Sequence, residues 1–219
     1  MRTKVNKGCE SNCGKRPPGR PRSEEARKAI LSSTIKFLEI KEMGFSDLTI
    51  EHVAAEAGVG KATVYRWWPN KAALVLDAFA GSVTQKLRFP DTGSVVRDMR
   101  EQMCQLMKIM NSRRGHILSV ILAAGQSDTT LISAFREKFL RPRRAEAYAT
   151  LRRGIERGEL PANLDLDLIL DTLYGAMYMR FLIRHDTLTP ELVEQLCDVV
   201  LSGAVRRELP VAQGRASGR

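Results

Sequence analysis

Apolar residues recur every three or four positions along this chain, and no stretch alternates for long with period two. The pattern predicts helices and no strand. Pro69, Pro90, Pro142, Pro161 and Pro190 punctuate it, because a proline inside a helix removes a hydrogen bond and clashes with the preceding turn. The first helix is expected over 23–43. Ser23 suits its cap, Glu24 and Glu25 suit the positive end of its dipole, and Gly44 suits its stop. Ile30, Thr34, Phe37 and Leu38 share one face. Thr49 then caps a short helix carrying Ile50, Val53, Ala54 and Ala57, and Gly58 follows it. A third helix runs from Lys61 to about Trp68, and a fourth runs from the cap Asn70 towards Leu87. Further helices are predicted over 94–111, 115–124, 130–140, 143–157, 166–184 and 190–205. The fold class is all-α.

Two of these helices are apolar on more than one face. Over 166–184, Leu166, Ile169, Leu170, Leu173, Met177 and Phe181 form a stripe, yet Leu168, Met179 and Leu182 lie off it. Over 190–205, Leu192, Leu196, Val199 and Val200 are joined by Val193, Cys197 and Leu201. A helix apolar nearly all round is buried by more than one partner. Either the two helices are central in a monomer or they form a four-helix interface between two copies. Leu173, Met177, Leu192, Leu196, Val199 and Val200 are the candidates for that interface.

Charge narrows the class of partner. The chain has 219 residues, room for one large domain or two small ones, and 35 bases against 25 acids give a net charge of +10. Such an excess suits nucleic acid or an anionic membrane surface. Residues 1–22 hold seven of the bases and a single acid in a Gly- and Pro-rich setting. That arm, and the tail 209–219, have too few apolar residues to fold alone and are expected to be disordered. The longest largely apolar run, Ile117–Ala124, falls short of the about 18–20 residues that span a bilayer. No apolar stretch follows the basic N-terminus, so no secretory signal is read there. Cys9, Cys13, Cys104 and Cys197 do not read as a disulfide scaffold, and a reducing cytoplasm is the expected location.

Residues 50–68 carry the most specific pattern. A helix-turn-helix needs a small residue where its helices cross, a turn residue tolerant of positive φ, and apolar residues locking the pair. Ala54, Gly58, and Val53, Val59, Val64 and Trp68 supply these at compatible spacing. An ordinary pair of core helices with a glycine turn would meet the same demands. The outward face separates the two. At about 100° per residue, with Val64 inward, Ala62 and Arg66 lie opposite, flanked by Lys61, Tyr65 and Thr63. That face holds cations, a phenol and a hydroxyl, with no acid on the helix itself. Arg can fork onto guanine, while Lys, Thr and Tyr can hold phosphates.

The stretch 48–74, LTIEHVAAEAGVGKATVYRWWPNKAAL, resembles the helix-turn-helix of TetR-family (AcrR-like) bacterial transcription regulators. The resemblance rests on Ala54, Ala57, Gly58, Val59, Thr63, Val64, Tyr65, Trp68 and Lys71, with Tyr65–Lys71 a YRWW variant. It implies a DNA-binding domain over 23–84 (helix-turn-helix about 47–68) and a C-terminal domain over 85–208 that dimerises and binds a small-molecule effector. It also implies a recognition surface of Lys61, Ala62, Thr63, Tyr65, Arg66 and Trp67, with Tyr65 and Lys71 on phosphates and Thr49 capping the second helix. Trp67 could instead be buried. The expected protein is a homodimeric repressor of a palindromic double-stranded DNA operator, released by its effector. A regulator without a ligand, or an activator, is the alternative. The family's effectors are small and mostly apolar, and no membrane partner is implied.

Two further features bear on partners. Residues 15–22, KRPPGRPR, resemble an AT-hook, although Pro18 stands where the hook has its first Arg. On that reading Arg20 and Arg22 enter a minor groove; on the other, the arm adds affinity by counterion release alone. Met99, Met103, Met107 and Met110 form a stripe that is either plain core or the wall of an adaptable pocket. Candidate pocket residues are Met103, Met107, Phe135, Phe139, Tyr148, Tyr174, Met177 and Tyr178. His52, His116 and His185 are far apart in sequence and have no nucleophile or metal motif beside them, so no enzyme activity, metal or cofactor is expected. A redox or metal sensor built on Cys9 and Cys13 is the rival of another class.

Overall fold

The structure is a computed structural model and describes residues 23–39 and 47–203. It is all-helical, with no strand among the described residues. α1 (Glu24–Glu39) begins where Ser23 Oγ accepts the Ala26 amide at 3.2 Å, and it buries Ile30, Thr34, Phe37 and Leu38. The expected continuation to residue 43 and the stop at Gly44 lie outside the described residues. α2 (Ile50–Glu56), α3 (Lys61–Trp67) and α4 (Lys71–Val83) follow, and α1 packs along α4. A 3-10 turn over Thr84–Lys86 ends this unit, so α4 stops short of the predicted Leu87.

α5 (Val95–Met110) is the axis of the second half, packed by α6 (Arg113–Gly125), α8 (Arg141–Glu156), α9 (Leu166–Ile183) and α10 (Pro190–Cys197). The methionine stripe lies on its buried side: Met99 and Met103 are fully enclosed, and Met107 and Met110 nearly so. Gly154 is where α8 crosses α5. A Cβ there would sit 2.7 Å from Val95 Cβ, too close for any larger residue without movement. α6 begins two residues before the predicted Gly115, because Ser112 accepts the Arg114 amide and caps it.

Pro142 does not break the chain as the sequence pattern suggests. α7 (Thr129–Phe135) continues through a π-turn, Arg136–Leu140, straight into α8. The Arg141 amide reaches back five residues to the Arg136 carbonyl. That wider turn lets the helix absorb a residue without an N–H, whose ring would strike a normal turn. A second π-turn, Asp198–Ser202, follows α10. No helix among the described residues is long and apolar enough to cross a membrane.

Candidate nucleic-acid interface

The Thr49 side chain accepts the His52 amide at 3.2 Å and opens α2. α2 closes through Gly58 at φ +65°, with the Gly58 amide on Ala55 O and the Val59 amide on Ala54 O. This is a Schellman turn, and a side chain at Gly58 would incur the left-handed penalty of about 1–2 kcal/mol. Ala54, Val53 and Val64 are buried where α2 and α3 meet, each valine contributing about 1.5–3 kcal/mol. With Val64 inward, Lys61, Ala62, Tyr65 and Arg66 are exposed on α3, while Thr63 and Trp67 are half-buried. Asn70 caps α4, accepting the Ala73 amide at 2.8 Å, and Lys71 beside it is half-buried. The exposed face of α3 therefore carries Lys61, Ala62, Tyr65 and Arg66, with Thr63 and Trp67 at its half-buried flanks. Arg20 and Arg22 lie outside the described residues.

Sequence reasoning missed the acid that faces this surface. Lys61 Nζ pairs with Glu51 of α2 at 2.6 Å. The Lys61 hydrogen bond is the main reason the Glu51 carboxyl is held below its ordinary value. Glu51 would compete with any phosphate brought to Lys61. Glu51→Gln is expected to raise affinity for operator and random duplex alike, about two- to fivefold at low salt. Fluorescence anisotropy titrations on both duplexes check this, and a gain confined to one would contradict it.

The two tryptophans differ. Trp68 ends α3 and is buried, its Nε1–H donating to Asp77 Oδ2 at 3.0 Å. Trp67 is half-buried under the Arg27 guanidinium, 5.6 Å from its ring centroid. Burial alone would raise the Asp77 carboxyl; hydrogen bonds from Lys138 and Trp68, with the charges of Lys138 and Arg27, outweigh it and hold it below its ordinary value.

The second half contains a cavity of about 60 Å³ bounded by α5, the first π-turn, α8 and α9. Of the pocket candidates, Phe139, Tyr174 and Tyr178 line it, together with Gln102, Leu106 and Arg143, which periodicity did not single out. Tyr174 donates to Gln102 Oε1 at 2.5 Å, and burial pushes the Tyr178 phenol up to about 12. Met103, Met107, Phe135, Tyr148 and Met177 are not among its lining. Met103, Met107, Phe135 and Met177 are packed in the core, and the Tyr148 hydroxyl bonds Asp167 on the surface.

Two of the interface candidates need correction. Leu173 and Met177 are wholly enclosed in their own subunit and offer nothing to a second copy. Leu192, Leu196 and Val200 are half-buried, and Val199 is exposed. The open side of α9 is instead Leu168, Thr172, Gly175, Met179 and Leu182. Their spacing of four, three, four and three is the one that a seam between paired helices has. A Cβ at Gly175 would meet nothing within 4 Å.

Fold and site together define a helix-turn-helix DNA-binding regulator whose remaining helices pack against that unit. Comparisons with known proteins agree. Residues 39–78 match the family model described as bacterial regulatory proteins, tetR family, and 89–200 match the tetracyclin repressor-like C-terminal domain. The chain belongs to the TetR family of transcriptional regulators. It is 40% identical over 178 residues to the HTH-type transcriptional regulator YdeS of Bacillus subtilis, covering 81% of this chain and 89% of that one. It is 30% identical over 188 residues to the DNA-binding transcriptional repressor TetR of Mycobacteroides abscessus, covering 84% and 96%. The crystal structure of the TetR-family regulator SCO0332 superposes with a TM-score of 0.73 at 35% identity, covering 82% and 98%. The family comprises regulators, not enzymes.

Proposed function

We propose that this chain is a homodimeric repressor that reads a palindromic operator through α3 and is released by a small, largely apolar effector in the α5–α9 cavity. It acts by binding, without a chemical step, in the cytoplasm. Its parts are a basic arm (1–22), the DNA-binding unit (23–84), the effector and dimer unit (85–208) and a tail (209–219). The observation that carries this reading is the exposed Lys61–Arg66 face with Val64 and Trp68 locked beneath it. Dimerisation is supported by the open seam of α9, flanked by Ile183, which is 61% exposed. Two copies would set two α3 helices about 34–36 Å apart, one turn of DNA. Selection of duplexes from a random pool at physiological salt, with competitor DNA, tests the reading. A palindrome is expected; recovery of no motif would overturn it.

The arm contributes affinity by counterion release, and Arg20 and Arg22 give it a minor-groove reach. Deleting residues 1–22 is expected to flatten the slope of log affinity against log salt by about 0.9 for each phosphate that the arm neutralises. Titrations from low to physiological salt measure this. An unchanged slope would mean that the arm does not touch DNA. A weaker preference for A·T flanks would mark the minor-groove reach of the two arginines.

A further inference from the structure

Two consecutive residues of the first π-turn grip α4. Lys138 Nζ donates to Asp77 Oδ1 at 2.7 Å, and the Phe139 ring packs on Phe79 with centroids 5.4 Å apart. Phe139 is also a wall of the cavity. The other Asp77 oxygen accepts Trp68 Nε1–H at 3.0 Å, and Arg27 of α1 approaches it at 3.5 Å. One carboxylate, only 18% exposed, therefore joins α1, the end of the recognition helix and the turn that walls the cavity.

The cavity, at about 60 Å³, is far smaller than the roughly 300–1,000 Å³ that houses a drug-sized ligand. A molecule of more than a few atoms must displace a wall. The π-turn is the wall with a ready alternative, because its backbone bonds already depart from the α register and can shift by one carbonyl. Displacing Phe139 moves its neighbour Lys138. The Lys138–Asp77 pair is half exposed on the lysine side, so it adds little to stability. It can break without unfolding either half, which suits a link that must open and close.

We propose that Asp77 and Lys138 are positioning residues for operator recognition: the π-turn passes the state of the cavity through Lys138 to Asp77, and Asp77 sets the seat of α3 through Trp68. This rests on the cavity being the effector site. It differs from a merely stabilising ion pair in one measurable way, since the effect of Phe139 on DNA binding must run through Lys138.

The test is a double-mutant comparison in the full chain with the selected operator. Lys138→Met and Phe139→Ala are each expected to weaken operator binding about three- to tenfold, and the double variant no more than the stronger single. Lys138→Arg should restore binding, and the thermal midpoint of Lys138→Met should move by no more than about 4 °C. Effects that multiply in the double variant would overturn the relay. If Phe139→Ala proves unfolded, Phe139→Leu carries the same comparison.

A second readout needs neither operator nor effector. The chain has two tryptophans, so Trp67→Phe leaves Trp68 as the sole tryptophan, read by excitation that tyrosine does not absorb. In that background, the Phe139 substitution should shift Trp68 emission when Lys138 is present and not when it is Met. A shift independent of Lys138 would overturn the relay even where no operator is recovered. Lys138-dependent emission without an operator would sink the repressor reading and leave the relay standing.

Discussion

Met179→Glu is expected to turn the proposed homodimer into monomers and to weaken binding to a full palindromic operator at least about 100-fold, while leaving the half-site interaction of each copy unchanged. Met179 is 57% exposed on α9, in line with Leu168, Thr172, Gly175 and Leu182. Around a two-fold axis the same seam meets itself, so one substitution places two carboxylates in an apolar interface. Burying each unpaired charge is costly, whereas in the monomer it stays in water. The subunit core, with Leu173 and Met177 on the other side of the helix, is untouched. Joining two readers makes the second binding event intramolecular, and the drop in affinity is that effective-concentration gain removed. Sedimentation velocity and anisotropy titration of full and half operators read both quantities. A variant still dimeric with unchanged operator affinity would remove α9 from the interface.

That prediction uses a face the sequence concealed. A helix apolar nearly all round does not say which side its own subunit takes, and the strongest stripe, with Leu173 and Met177, went inward. The open seam passes through Thr172 and Gly175, which carry no apolar signal. The DNA-reading unit was legible for the opposite reason. Each of its positions answers a local demand: a cap at Thr49, a left-handed turn at Gly58, a small crossing residue at Ala54, inward anchors at Val64 and Trp68. Such demands are met within a few residues, so spacing alone displays them. The interactions that tune the site are not local. Lys138 meets Asp77 across 61 positions, and Tyr174 meets Gln102 across 72. Gln102 is polar yet 3% exposed, because a cavity and a tyrosine stand where periodicity reads solvent. The π-turn before Pro142 was hidden because a proline reads as a stop unless the preceding turn is seen to widen.

Arg66→Ala is expected to cost about 1–3 kcal/mol for each half-site of the cognate operator, about 5- to 150-fold apiece, and far less on random duplex. Arg66 is exposed on the face opposite Val64, the face proposed to enter the major groove, and a guanidinium there can donate two parallel hydrogen bonds to one guanine. Its neighbours act differently. Lys61 and Tyr65, also exposed, are proposed to reach phosphates; removing either should weaken all duplexes by similar factors, and removing Lys61 should flatten the salt dependence. Truncating Arg66 removes one charge as well, so a small uniform weakening accompanies the specific one. The ratio of operator to random-duplex affinity isolates base reading from that background. Repeating the duplex selection with the variant should relax preference at one symmetric pair of positions and retain the rest of the palindrome. An equal weakening on both duplexes, with the selected motif unchanged, would move Arg66 to the phosphate backbone and leave base reading to Ala62, Thr63 and Trp67.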